Sequence, residues 1–167
     1  MPGPTSGGKR AKAGATVERA PVGSTEPPHK HVAERLGHEG QRYTAGRRAL
    51  VDLLHRAGRP LEISEILDAS SGMPQSSTYR NLVVLERVGA VIRHPGPGGI
   101  AHYELSEALV GHHHHLVCDN CGRMEDYEAS AEIEGGLRAA IDAIAVPSGF
   151  KATAHRLELR GLCSRCA

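Results

Sequence analysis

His112-His113-His114-His115-Leu116-Val117-Cys118-Asp119-Asn120-Cys121-Gly122 is answered near the C-terminus by Cys163-Ser164-Arg165-Cys166. All four cysteines of the chain fall into these two C-x-x-C pairs. Each pair places two thiolates in one tight turn, within reach of one small cation. Two pairs complete a tetrahedral four-cysteine zinc site, closed and therefore structural rather than catalytic. The four histidines before the first pair are a separate supply of imidazole ligands. On an extended, alternating segment His112 and His114 face one way and His113 and His115 the other. The pattern predicts two further metal sites, one on each face of a strand.

Two plainer readings fail. An affinity tag sits at a terminus, whereas this run is internal and leads straight into a zinc-knuckle pattern. Two disulfides would suit an oxidising compartment. No secretory signal is recognisable, and no apolar run approaches the roughly 18 residues of a membrane span. The chain is therefore expected in the cytoplasm, with metal-bound thiolates and no membrane partner.

The 167 residues hold no Trp and one Phe, so aliphatic side chains must build the core. A small C-terminal unit made this way is marginal alone, and a structural metal offsets that. Net charge is +1, but it is unevenly spread: +2 over residues 1–40, +2 over 41–105 and −3 over 106–167. A polyanion would meet the first hundred residues rather than the last sixty.

Residues 1–40 are rich in Gly, Pro, Ser, Thr and Ala and read as a disordered N-terminal arm. Folded structure is expected from 41. Thr44 is a helix N-cap, Ala49, Leu50, Leu53, Leu54 and Ala57 recur at helical spacing, and Gly58 with Pro60 ends the helix. A second helix fits 62–69, with Ile63, Ile66 and Leu67 inside. A third starts at Gln75 or Ser76, carries Tyr79, Leu82, Val83, Leu85 and Val88, and ends at Gly89. Strands at 90–94 and 101–105 follow, joined by a glycine-rich loop. Three helices and a hairpin are the elements of a winged helix-turn-helix, ending at residue 105.

Beyond residue 106 the pattern becomes α+β. Strands are expected at 112–118 and 123–127, a helix at 131–145 covering one face of the sheet, and an alternating segment at 151–159.

Ser76-Ser77-Thr78-Tyr79-Arg80 opens the third helix. Small hydroxyl residues allow close approach to a DNA backbone, and a helix N-terminus favours phosphate. Tyr79 can pack on a thymine methyl, and Arg80 can pair a phosphate or a guanine. In helix-turn-helix proteins this part of the second helix enters the major groove. These five residues are the expected DNA contacts.

The chain resembles the ferric uptake regulator family of bacterial metal-responsive repressors over about residues 42–166. The resemblance rests on Ser77-Thr78-Tyr79-Arg80-Asn81-Leu82 with Leu85-Glu86, on Val91-Ile92-Arg93-His94 with Gly98-Gly99, and on Tyr103-Glu104-Leu105. It rests further on the H-H-H-H-L-V-C-x-x-C-G run, on Ala154-His155-Arg156-Leu157-Glu158-Leu159, and on the closing C-x-x-C. It implies an α+β protein: a winged helix-turn-helix at 41–105, a hinge at 106–111, and a small α/β dimerisation domain at 112–167 holding the four-cysteine zinc. It also implies a homodimer that binds a palindromic operator on double-stranded DNA and represses metal-uptake or stress genes.

By the same resemblance, Cys118, Cys121, Cys163 and Cys166 hold structural Zn2+. Glu104, His113 and His115 form a sensing site between the domains, supplemented by Asp126 or Glu125. His112, His114, His155 and a helix glutamate form a further site. That glutamate is Glu134 or Glu132, with Glu134 preferred because it follows the apolar Ile133. Many relatives carry a sensing histidine just before the second helix, where this chain has Arg59-Pro60-Leu61-Glu62. Glu62 or His94 is then left to complete the set. With no spare cysteine, the sensing donors are nitrogen and oxygen only. Such donors suit Fe2+ or Zn2+ as the regulatory metal, with Mn2+ and Ni2+ also compatible.

A peroxide-sensing repressor on the same fold is one alternative. A metalloenzyme is another, but no H-E-x-x-H or deaminase-type pattern is present, so no catalytic residue is assigned.

Overall fold

The structure is a computed structural model that describes residues 27–70 and 72–167. Its first half contains helices α1 (His29–His38), α2 (Ala45–Ala57), α3 (Ile63–Ala69) and α4 (Gln75–Arg87), with strands β1 (Leu61–Glu62), β2 (Val91–Pro95) and β3 (Ala101–Leu105). A short helix α5 (Glu107–Val110) follows. The second half contains β4 (His114–Cys118), β5 (Met124–Tyr127), α6 (Ala131–Ala145) and β6 (Glu158–Gly161).

Local chemistry explains the helix ends. The Thr44 side chain accepts a hydrogen bond from Arg47 N at 3.4 Å, capping α2. Gly58, at φ +54, ends it in the left-handed conformation that glycine adopts freely. Glu62 and Glu65 form a reciprocal capping box that starts α3. The buried residues of α4 are Thr78, Leu82 and Leu85, one stripe at helical spacing. Leu82 and Leu85 pack with Leu50, Val51 and Leu54 of α2, Ile66 of α3, and Val91, Tyr103 and Leu105 of the sheet.

The expected disordered arm needs correcting at its C-terminal end. Residues 29–38 form α1, and its Val32 and Leu36 are fully buried in the same core. Arg35 of α1 also donates to the Gly89 carbonyl, and its guanidinium is 3.5 Å from Ser106 Oγ. The sequence around α1 is polar, but two leucine-sized contacts at i and i+4 suffice to dock one face. The part of the arm at 1–26 lies outside the described residues.

The wing sheet has the order β1-β3-β2, with Ile92 opposite Glu104 and His94 opposite His102. Strand β1, two residues long, carried no readable period. The segment expected as a plain hinge contains α5. The second sheet has the order β5-β4-β6, with β6 parallel to β4 and Cys118 opposite Gly161. Of the segment read as alternating over 151–159, strand structure begins only at Glu158.

The expectation that α6 covers the sheet does not hold within one chain. Ala145 is its only buried residue, while Ile133 and Ile144 are 43% and 74% exposed. Val146 and Phe150, just beyond, are exposed as well.

Candidate metal centres and nucleic-acid interface

Strand pairing builds the cysteine cluster. Cys118 ends β4, and Gly122, at φ +74, turns the chain so that its N–H donates to the Cys118 carbonyl at 2.9 Å. Parallel pairing of β6 with β4 carries Cys163 back to the same point, where its N–H donates to Cys118 Sγ at 3.4 Å. Cys121 Sγ and Cys163 Sγ are 3.8 Å apart. A disulfide needs about 2.05 Å. Tetrahedral sulfurs about 2.3 Å from one zinc sit about 3.8 Å apart. Backbone N–H groups of Cys121 and Cys163 pull the Cys118 thiol down to about 6. The shift favours the thiolate, the form that ligates metal. Cys118, Cys121, Cys163 and Cys166 together fit one zinc.

The second cluster joins the two halves of the chain. Glu104 comes from β3 of the wing, His113 and His115 from the start of the second sheet, and Asp126 from β5 beside His115. Their donor atoms lie within 4.8 Å of one another. Glu104 Oε2 is 3.1 Å from His113 Nε2 and 3.1 Å from His115 Nε2, and Asp126 Oδ1 is 3.7 Å from His115 Nε2. Burial opposes the charge on Glu104, yet the hydrogen bonds from His113, His115 and His94 outweigh it and hold the carboxyl well below the usual range. Burial likewise opposes charge on His113, but its contact with Glu104 raises it to about 9. Burial and the nearby Glu104 carboxylate lift Asp126 to about 6. His113 Nδ1 donates to the Gly111 carbonyl at 3.0 Å, which aims Nε2 at the cluster.

Protons shared between imidazoles and carboxylate hold these side chains together. A divalent cation at the same point would satisfy the same atoms. It would also give a partner to Asp126 Oδ1, which is buried without a hydrogen bond. The residues therefore fit a metal with nitrogen and oxygen donors. Asp126 joins the group and Glu125 does not. Glu62 is engaged elsewhere, at the start of α3.

The third cluster lies on the opposite face of the histidine strand. His114 Nε2 is 2.6 Å from Glu134 Oε1, His112 Nε2 is 3.6 Å from the same oxygen, and His155 Nε2 is 3.4 Å from Glu134 Oε2. Glu134 stands in the first turn of α6, which Ser130 caps. It is Glu134, and not Glu132, that reaches the histidines. His155 Nε2, which points at Glu134, is buried without a hydrogen-bond partner, so this set also fits a cation.

On α4, Ser76 and Arg80 are exposed, Ser77 is half-buried, and Tyr79 is 40% exposed. Arg80 Nη2 donates to Ser77 Oγ at 3.3 Å. Thr78 corrects the expected contact set. It is fully buried on the inner stripe with Leu82 and Leu85, so it does not present its hydroxyl to a ligand. Val83, one turn beyond Tyr79 and 53% exposed, belongs to the outer face instead. An apolar residue left in water beside a tyrosine suits the thymine methyls of a major groove. Its helical period alone placed it in the core.

A family model described as the ferric uptake regulator family matches residues 38–160. A ferric uptake regulation protein of Legionella pneumophila is 30% identical over 139 residues, covering 80% of this chain and 97% of that protein. The peroxide operon regulator of Bacillus subtilis (strain 168) is 28% identical over 142 residues, covering 83% of this chain and 92% of that protein. Among solved structures, the ferric uptake regulator of Helicobacter pylori superposes with a TM-score of 0.69 at 22% identity. The match covers 89% of this chain and 97% of that one. At that identity the likeness is one of fold.

Proposed function

The chain belongs to the ferric uptake regulator family, and we propose that it senses metal through Glu104, His113, His115 and Asp126, where its two halves meet. Its function is metal-dependent binding of DNA to repress transcription, directed at genes of metal uptake or homeostasis. Its cofactors are zinc in the four-cysteine site and a second, regulatory divalent metal. Fe2+ or Zn2+ suits the regulatory donors best, with Mn2+ and Ni2+ compatible.

The observation that carries the reading is the origin of the donors. Glu104 rides on the wing, while His115 and Asp126 belong to the second sheet and His113 immediately precedes its strand β4. When bound, the cation supplies one positive centre that all four donors share. Closing on it fixes the angle between the DNA-binding half and the rest. Binding to the DNA-competent arrangement must be tighter than to any other, and a hundredfold gain in operator affinity corresponds to roughly 2.7 kcal/mol of coupling.

The partner on the other side is double-stranded DNA, read by Ser76, Ser77, Tyr79 and Arg80, joined by Val83. A second copy of the chain completes a homodimer. The bare apolar side of α6 and the fully exposed β6 support this. A two-fold dimer reads a palindromic operator through two copies of α4. The protein acts in the cytoplasm and is not an enzyme. No described helix is long and apolar enough to cross a membrane.

A second reading, peroxide sensing, is favoured by two observations. The sensing cluster carries two carboxylates, and a peroxide operon regulator is among the relatives. The test is to load the protein with Fe2+, Mn2+ or Zn2+, follow operator binding, and then add peroxide. A metal sensor recovers binding after fresh metal in every case. Irreversible loss with Fe2+ alone assigns peroxide sensing, and no dependence on any metal overturns both.

A further inference from the structure

The two oxygens of the Glu104 carboxylate have different partners. Oε2 faces His113 and His115, each at 3.1 Å. Oε1 is 2.6 Å from His94 Nε2 instead. His94 lies on β2, the outer strand of the wing hairpin, and is 5% exposed. Its ring lies 4.8 Å from that of His115, centroid to centroid. Yet His94 stands outside the group of four residues whose donor atoms converge.

We propose that His94 is a positioning residue of the sensing site: its Nε2–H donates to Glu104 Oε1, turns Oε2 towards the cation, and ties β2 to the metal. This rests on the sensing-site reading above. Glu104 is 4% exposed, so water cannot readily replace the donor. A buried carboxylate oxygen without a donor is strongly disfavoured, and the group would turn to find one. The donors within its reach are His113 and His115, both needed for the metal. A ligating carboxylate held by an outer partner keeps its orientation before the metal arrives. The same bond makes both strands of the wing hairpin sense occupancy, since β3 supplies the ligand and β2 its support.

The test uses the full chain with zinc retained on the cysteines and His155→Ala to disable the third cluster. Cobalt(II) is titrated against a competing chelator, and its visible d–d bands are recorded at saturation. His94→Leu weakens cobalt binding by about 10–100-fold. His94→Gln, whose amide N–H reaches Oε1, restores most of it, and His94→Asn, too short to reach, does not. The saturated bands are the same in all variants, because the ligands are unchanged. Zinc content and thermal unfolding are measured on each variant; if His94→Leu does not fold, the Gln and Asn pair decides alone. Equal cobalt affinity for Gln and Asn overturns the proposal, as does wild-type affinity in His94→Leu. Bands that shift alike in every His94 variant also overturn it, by making His94 a ligand. Glu104→Ala is the separate control: cobalt affinity unchanged by that substitution rejects the sensing site itself.

Discussion

At Glu104 one carboxylate meets three imidazoles in a space closed to water, and its net charge survives only because those rings donate to it. The histidines divide by face. His113→Ala or His115→Ala is expected to abolish the effect of metal on DNA binding while the second sheet stays folded. His112→Ala, on the other face and 40% exposed at its side chain, is expected to do less. Operator titrations of alanine variants at His112, His113, His114 and His115 check this, and equal losses from all four would remove the distinction. On α4, Tyr79→Ala should reduce discrimination between operator and mismatched DNA by about 1–3 kcal/mol per lost base contact. If Arg80 meets phosphate, Arg80→Ala should weaken binding uniformly and flatten its salt dependence by about one counterion. A salt series with both variants separates the two roles.

Among the elements, α1 lies outside the expected folded region and yet belongs to the core. Its Leu36 is fully buried, so Leu36→Ala should destabilise the first half by about 2–5 kcal/mol. Chemical denaturation followed in that half measures it, and a loss below about 0.5 kcal/mol would mean that α1 is not part of the core. The sequence concealed this helix because its apolar residues are few and lie among glycines, prolines and charges. By contrast, the period-two alternation of the histidine run was readable. A strand has only two faces, and the structure separates His113 and His115 from His112 and His114. Thr44 and Gly58 were readable as helix ends because each residue type has a specific backbone use. The inner stripe of α4 was half readable. The 3.6-residue repeat admitted both Thr78-Leu82-Leu85 and Tyr79-Val83, and only packing against α2 decides between them. Glu134 over Glu132 is a question of helix phase, which the sequence left open; in the folded chain Glu134 lies against His112, His114 and His155. His94 emerged only from the fold, because cross-strand register is what brings β2 beside Glu104.

Over the whole molecule, the cysteine cluster and the proposed sensing cluster have different expected roles. The apolar residues that the second sheet buries are Val117, Cys118 and Met124, a small core, so zinc must supply much of its stability. Cys118→Ser should lose that zinc and with it the folded second half. Metal analysis with thermal unfolding checks this, and zinc retained in a folded variant would contradict it. The sensing cluster instead spans the two halves, and its occupancy should change DNA affinity without changing either fold. The most direct test is operator affinity with zinc held on the cysteines, with and without a second divalent metal, for the wild type and for Glu104→Ala. The second metal is expected to tighten wild-type binding by about a hundredfold and to leave Glu104→Ala at its metal-free affinity. A wild type indifferent to Fe2+, Mn2+, Ni2+ and Zn2+, or a Glu104→Ala variant that responds as the wild type does, would contradict it.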